Sequence, residues 1–440
     1  MRKIWPGRRA SSDEFIFTVD TRLGTYATRS NNDQFYIPIQ DGTSNAGFTV
    51  NFMVDWGDGN TSYVNSSNYT TAGLHTYTTA GIYTIKCSGT VAGWCFQNGS
   101  GNLHGDQEKM LTIENWGCFK MDGGRSGGAG LQFWGCSNMT DINAPDVPFM
   151  GRNALTAGNV GARSLRGTFA NCSNLVRINN IANWPVAGTI SFNVNITFEG
   201  CTKLQFGDLG TTVIDLSQWD VSHCKIFERM FQGCAAFNGR VPPNLGTNGS
   251  AFSALRCEKM FTSCTNFTGT FGNEILSWDF SNPNSRTDRM FQYASAFTAD
   301  ISGWDVSGVS RMDQMFDRAT TFNRPIGSWD VSNVTNMVDM FSGASNFNQD
   351  LGAWNVNAWS TASIGGATTP LGRNIGGSNF QLSTANYDAL LVDWDSYSFP
   401  SWPGGTVDFG NSTYSLGSAA ATARASLVTK WGAIVDGGGV

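Results

Sequence analysis

The last third of the chain repeats, and a repeat this short leaves few ways to fold. Trp304-Asp305-Val306-Ser307 returns as Trp329-Asp330-Val331-Ser332 and decays to Trp354-Asn355-Val356-Asn357, with a step of 25 residues each time. Between these motifs lie Met315-Phe316 and Met340-Phe341, each followed six residues after the Phe by Phe322 or Phe347. A unit of this length cannot bury its own apolar face, so successive units must stack. The same frame of Phe and Phe+6 runs back through Phe291/Phe297, Phe261/Phe267 and Phe231/Phe237. Looser copies stand at Phe198/Leu204, Phe169/Leu175 and Phe133/Met139. Eight registers result, with steps of 36, 29, 33, 30, 30, 25 and 25, and a ninth surrounds Cys118-Phe119-Lys120-Met121. The longer upstream steps read as insertions that form loops on one face.

Within one unit, Trp329 and Val331 alternate with Asp330 and Ser332, as along a short strand. Val334, Met337 and Met340-Phe341 follow at roughly helical spacing. The expected unit is therefore a short strand, a turn, a helix-like segment and a return, with the repeat Trp inside. Asp220, Asp279, Asp305 and Asp330 follow that Trp, and Asn355 ends the series. Stacked strands would set these side chains about 4.8 Å apart. Carboxylates that close need solvent, backbone N–H groups or a ligand. Two readings stand: a solvated, turn-capping row, or a ligand-facing ladder for a sugar or a protein. A glycosidase needs an acid and a base in different environments, whereas a ladder makes its members equivalent, so no catalytic residue is assigned.

The cysteines follow the same frame. Cys136, Cys172, Cys201, Cys234 and Cys264 each lie three residues after the repeat Phe, and the slot becomes Ala294, Ala319 and Ala344 in the last three units. A position that alternates between Cys and Ala wants a small apolar side chain inside a stack. The expectation is a core ladder of free thiols, suited to assembly in a reducing compartment. Disulfides between neighbouring rungs are the alternative. Cys224 and Cys257 lie off the ladder.

Residues 13–90 have a different texture. Strands are expected at 15–19, 35–39, 48–54 and 82–87, with a tight turn at Asp55-Trp56-Gly57-Asp58-Gly59. Short alternating strands with Gly turns indicate a small β-sandwich. Asp55 and Asp58 read as turn chemistry and His75 as a hydrogen-bonding partner. Past the repeats, 360–379 reads as loop, and 382–394 as an amphipathic helix capped by Ser383 or Thr384. A Pro/Gly turn around Trp402-Pro403-Gly404-Gly405, a strand near 406–409, a helix near 418–430 and a last strand about Ile434 follow. Such a segment is placed to cap the open end of a stack.

Composition narrows the partners. The chain has 30 Phe and 15 Trp but only 14% charged residues, and its net charge of -6 argues against nucleic acid. His75, His104 and His223 are far apart and offer no metal-ligand spacing. No GxxxxGK[ST] loop occurs, and no metal or cofactor is expected. No stretch is long enough to span a membrane. The first residues are basic and lack the apolar run of a secretory signal. Arg2, Lys3, Trp5, Arg8 and Arg9 read either as an arm that anchors the chain in an assembly or as plain disorder.

Two resemblances organise these features. The WGDG turn at Trp56, the His75-Thr76-Tyr77 triplet and the Gly81-Ile82-Tyr83-Thr84-Ile85 strand resemble the polycystic-kidney-disease-type immunoglobulin-like domain. The pattern "MF..a..Fn.di..WdvS.VtnM" resembles the BspA-like leucine-rich-repeat family with its DUF285-type repeats, closely over 287–357 and weakly over 110–286. The closing motifs "LS..NYDALL..W", "GNSTYS", "A.AR..L" and "I.DGG" are similar to the end segment of members of that family. The resemblance implies a mostly β chain: an arm at 1–12, an immunoglobulin-like β-sandwich at 13–90, an irregular leucine-rich-repeat-type solenoid at 91–357 and an α+β cap at 358–440. It also implies a surface protein associated with adhesion. The functional expectation is a non-enzymatic virion surface protein of a bacteriophage, in a decoration, fibre or receptor-binding role. Its expected partners are other virion proteins of capsid or tail and a host surface protein or glycan, with a homo-oligomer left open and neither nucleic acid nor membrane insertion. A bacterial cell-surface adhesin is the alternative and predicts an export signal or sorting tail. A polysaccharide-degrading enzyme is more remote and predicts a cleft with unequal carboxylates.

Overall fold

The structure, a computed structural model, describes residues 13–24, 30–39, 50–65, 69–96, 106–121, 130–150, 164–186, 193–205, 207, 213–222, 224–247, 254–356, 375–376, 379–397 and 405–440. Arg2, Lys3, Trp5, Arg8, Arg9, His104, His223, Trp402 and most of 360–379 lie outside the described residues. Two compact units divide the chain, Met1–His223 and Cys224–Val440. The fold is mostly β, in several small sheets of mixed topology, with two helices forming a C-terminal cap. Among the described residues no sheet closes into a barrel, and none is clearly curled into a leucine-rich-repeat-type solenoid.

In the first unit the elements are β1 (Phe15–Asp20), β2 (Gln34–Tyr36), β3 (Asn51–Asp55), β4 (Thr61–Asn65), α1 (Tyr69–Ala72), β5 (Leu74–Thr76), β6 (Ile82–Thr90), β7 (Met110–Asn115), β8 (Asp141–Ile142) and β9 (Arg177–Ile178). Phe15, Phe17 and Val19 alternate inward along β1, and all three are buried. β1 pairs antiparallel with β6 on one side, Phe17 opposite Ile85, and with β7 on the other, Phe17 opposite Ile113. The sheet runs β4-β3-β6-β1-β7-β8-β9, and its last three strands are parallel. Strand pairing therefore crosses residue 90, and one core serves both sides of it. Phe15 packs 5.4 Å from Trp94 and 4.5 Å from Phe119. β2 and β5 form a separate antiparallel pair. The strand expected at 35–39 stops at Tyr36, although the Ile37 N–H still donates to the Gly73 carbonyl at 2.9 Å. Gly57 holds φ at +80°, and a Cβ there would lie 2.4 Å from the Thr84 carbonyl oxygen, so the WGDG turn needs glycine.

The second unit corrects the expected anatomy of a repeat. Of the Trp-Asp-Val-Ser segments, only those around Asp279 and Asp305 bridge one another among the described residues. Parallel pairing lies instead five residues before the repeat Phe. There β10 (Ser285–Arg286) pairs with β11 (Val309–Arg311), and single bridges join Ile226 to Arg256, Arg256 to Arg286 and Arg311 to Asn336. The segment expected to be helix-like is a run of turns. Its peptide groups are shared out alternately. The N–H groups of Phe227, Arg229, Phe231 and Gly233 donate to the carbonyls of Arg256, Glu258, Met260 and Thr262 in the next unit, at 2.8 to 2.9 Å. Those of Met230, Gln232 and Cys234 donate three residues back within their own turn. An α-helix would keep every N–H for itself; here half are exported to the neighbour.

That alternation needs left-handed residues at fixed places. Two residues before the Phe stand Arg229, Lys259, Arg289, Gln314 and Asp339, with φ between 54° and 58°. Two residues after it stand Gly233, Ser263, Tyr293, Arg318 and Gly343, with φ between 57° and 77°. A non-glycine residue there costs about 1–2 kcal/mol, offset by hydrogen bonds formed between units in a water-poor interior. Inside, Phe231, Phe261, Phe291, Phe316 and Phe341 stack in a column at 5.5, 5.7, 5.8 and 5.7 Å, nearly coplanar. Beside it, each repeat indole donates to the unit before: Trp304 to the Ile275 carbonyl, Trp329 to Ile301 and Trp354 to Ile326, at 2.7, 3.2 and 3.0 Å.

The C-terminal segment continues both columns. It holds α2 (Thr384–Ser396), β12 (Gly405–Asp408), β13 (Thr413–Tyr414), α3 (Ala419–Trp431), β14 (Gly432–Val435) and β15 (Gly438–Gly439). Ser383 and Ser418 cap the two helices through their hydroxyls. Phe380 stacks 5.9 Å from Phe341. Trp394 on α2 donates to the Leu351 carbonyl at 3.2 Å, as the repeat Trp do. β12 pairs with β14 and β13 with β15, both parallel.

Candidate functional site

Each repeat Asp closes its own turn. The Asp220 carboxylate accepts from the Ser222 N–H at 3.1 Å and hydroxyl at 2.5 Å, and Asp305 accepts from Ser307 at 3.0 and 2.6 Å. Asp279 accepts from the Ser281 N–H at 2.8 Å and Asp330 from the Ser332 N–H at 3.0 Å. These are Asx turns, in which a short carboxylate satisfies the N–H two residues on. Hydrogen bonding from the Ser332 side chain and N–H holds Asp330 below the usual carboxylate range. Asp220, Asp305, Asp330 and Asn355 are exposed and Asp279 is half-buried.

The thiols are internal. All ten cysteines are free and nine are buried, Cys118 being half-buried. The ladder thiols donate to the repeat Phe of the unit before: Cys172 to the Phe133 carbonyl, Cys201 to Phe169 and Cys264 to Phe231, at 3.1, 3.0 and 2.9 Å. Cys136 and Cys234 are buried in the same slot, as are Ala294, Ala319 and Ala344. Burial pushes the thiols of Cys172, Cys201 and Cys264 well up, which keeps them protonated and unreactive.

Two titratable clusters lie in the first unit. Lys109 donates its three ammonium hydrogens to the Ser30 hydroxyl and the carbonyls of Asn31 and Gln34 at 2.7, 2.8 and 2.9 Å, with Asp106 at 3.7 Å. Ser30 also donates to Asp106. The trio resembles an activated serine, but an ammonium with every hydrogen given away has no lone pair to act as a base. It ties residues 30–36 to the turn before β7. His75 Nε2 lies 2.8 Å from Asp58, and the ring stacks 4.8 Å from Trp56. This pair pins the WGDG turn. Among the described residues no group of three or more His, Cys, Asp or Glu can hold a metal ion, and no helix is long and apolar enough to cross a membrane.

One surface was not singled out from the sequence. Arg256, Arg286 and Arg311 stand five residues before successive repeat Phe, each two residues before an acid: Glu258, Asp288 and Asp313. The acids lie beneath, with side chains 5, 9 and 10% exposed, and the guanidiniums lie over them at 42, 34 and 27%. Arg256 also reaches Glu228 at 3.1 Å, and Arg286 reaches Glu258 at 3.2 Å, so the pairs interlock between units. Burial lifts Glu258 and Asp288 above the usual carboxylate range, and the Asp313 charge adds to the effect at Asp288. The signal was legible as Arg-x-acid-x-Met-Phe at Arg256, Arg286 and Arg311.

The class defined by this architecture is a repeat protein whose surface chemistry recurs unit by unit over a stacked aromatic core. Residues 159–268 and 255–364 match the family model described as "Mycoplasma protein of unknown function, DUF285", an interval a little under half of the chain that covers most of the repeats and runs seven residues past them. No curated protein and no solved structure matches the chain.

Proposed function

We propose that the chain is a non-enzymatic surface protein of a bacteriophage particle, in a decoration, fibre or receptor-binding role. In this reading the repeats form a leucine-rich-repeat-type solenoid that presents a recognition face, and residues 13–90 form an immunoglobulin-like sandwich at its start. The observation that carries the proposal is the division of labour within each unit. Aromatic rings, thiols and indoles are spent on the core, while polar side chains recur outside in columns. Free buried thiols suit assembly in a reducing cytoplasm. Antibody raised against residues 287–357 should decorate purified particles in electron micrographs, and bare particles would remove the virion placement. Deleting residues 1–12 should abolish incorporation if the basic arm is the anchor. A bacterial cell-surface adhesin is the second reading, supported by the bacterial source in the matched family's description. Fractionation of the producing cell distinguishes them, because an adhesin stays with the envelope.

A further inference from the structure

Cys118 is the one cysteine of the ten that solvent partly reaches. It lies just past β7, and its Sγ donates to the carbonyl oxygen of Cys87 on β6 at 3.1 Å. Both cysteines border the start of β1, the strand that separates β6 from β7 in the sheet. Cys87 stands opposite Phe15 in the β1–β6 ladder, and the Phe15 N–H is directed at the Cys118 thiol. A disulfide needs its two Cα atoms within about 7 Å of one another. A sulfur that touches the main chain of a second cysteine has made most of that approach. The remaining thiols are placed differently. Cys95 is turned to the carbonyls of Gly130 and Leu131, at 3.8 and 3.5 Å. The ladder thiols have neighbours in their column but are fully buried, out of reach of an oxidant in solution.

We propose that Cys87 and Cys118 are a disulfide-forming pair, linked when the folded protein meets a small-molecule disulfide, so that β6 is tied across β1 to the segment after β7. The step is thiol–disulfide exchange. The Cys118 thiol gives its proton to water, and the thiolate attacks one sulfur of the reagent. The reagent's S–S bond breaks, and its other half leaves as a thiolate. Cys87, its proton also given to water, then attacks the Cys118 sulfur of the mixed disulfide and expels the second half. The protein loses two protons and two electrons, and the reagent is reduced to two thiols. Burial raises both thiols, at Cys118 against the opposing pull of the Phe15, Val91 and Gly89 N–H groups. Exchange is therefore slow at neutral pH and quickens as pH rises. A chain assembled in a reducing compartment keeps its thiols free and gains the link after leaving it. The pair goes beyond the functional reading above and does not depend on it.

The test incubates the full chain with hydroxyethyl disulfide in mildly alkaline buffer, removes the reagent and counts thiols in denaturant. The count should fall from ten by two, with no reagent retained on the protein. Trypsin cuts after Lys86, Lys109 and Lys120, so the link joins peptides 87–109 and 110–120, and fragmentation separates Cys87 from Cys95 within the first. Linking positions 31 residues apart should raise the urea midpoint, and reduction should restore it. Cys118→Ser, whose hydroxyl can still donate to the Cys87 carbonyl, should keep all of its remaining thiols after the same treatment. Cys87→Ala should stop at a mixed disulfide on Cys118; where that variant fails to fold, the peptide map and Cys118→Ser still decide. A stable reagent adduct on Cys118 in the parent, a link through Cys95, a full count of ten thiols after treatment, or two thiols lost from Cys118→Ser would each overturn the proposal.

Discussion

The indole of Trp329 makes two contributions that one substitution can separate. Its ring stacks on Trp304 at 6.3 Å, and its N–H donates to the Ile301 carbonyl at 3.2 Å in a buried site. Trp329→Phe keeps most of the ring and strands the carbonyl, so it should cost about 1–3 kcal/mol. Trp329→Ala adds a cavity and should cost about 3–5 kcal/mol. Urea unfolding midpoints measure both, and a Phe variant as stable as the parent would show that the hydrogen bond contributes nothing. At the same scale the thiols make a sharp expectation. Ten cysteines should react with an aqueous thiol reagent in denaturant and no more than one, Cys118, in the native protein. Both the alternation of Cys with Ala and the inward Trp were readable from spacing alone. The partners of these groups were not, because each carbonyl acceptor belongs to another unit.

Among the elements, the turn run before each Phe shows how side-chain pattern and backbone can part company. Val334, Met337 and Met340 are spaced as on a helix and are buried as a helix would bury them. The backbone is nevertheless turns, since exporting alternate N–H groups to the next unit satisfies more of the stack than an isolated two-turn helix, which is marginal by itself. The acid column belongs to this element and predicts a pH dependence. The folded-state pKa of Glu258 is raised by burial above its ordinary 4.5. Its contribution to stability is therefore fully present below the ordinary value and is lost as pH rises through the folded one. The stability of Glu258→Gln relative to the parent should accordingly climb as pH rises above the ordinary 4.5 and through the raised folded-state value. A difference that stays flat across that range, in thermal or urea unfolding, would contradict the assignment.

For the molecule as a whole, the ends of the stacked region carry the risk, because a stack exposes its core wherever it stops. Phe380 covers Phe341, and the Trp394 indole donates to the carbonyl of Leu351. Removing residues 358–440 would bare Phe341, Phe347 and Trp354. The truncated chain should aggregate at concentrations where the full chain is monodisperse, as light scattering would record; a soluble, cooperatively folding truncation would deny the capping role. In the first unit the change of texture near residue 90 suggested a separate module, yet β1 lies between β6 and β7 in one sheet. Nothing in the segment 15–20 announces a partner at 110–115, because a strand's apolar alternation records which face is buried and not which strand lies beside it.

The period, the small-residue slot, the Trp and Phe columns and the cap of the first C-terminal helix were written in the residues themselves. Each is a matter of local volume, polarity or capping chemistry, and the chain states these within a single window of one repeat. The course of the main-chain hydrogen bonds was settled only in three dimensions. So were the left-handed positions at Arg229, Lys259 and Tyr293, the burial of Glu258 and Asp288 beneath Arg256 and Arg286, and the seating of β1 between β6 and β7. All of these depend on what a neighbouring unit offers across gaps of 23 residues or more. A backbone donor carries no mark in the sequence of the acceptor it will find, and a carboxylate is exposed or buried according to the side chain that a later unit lays over it.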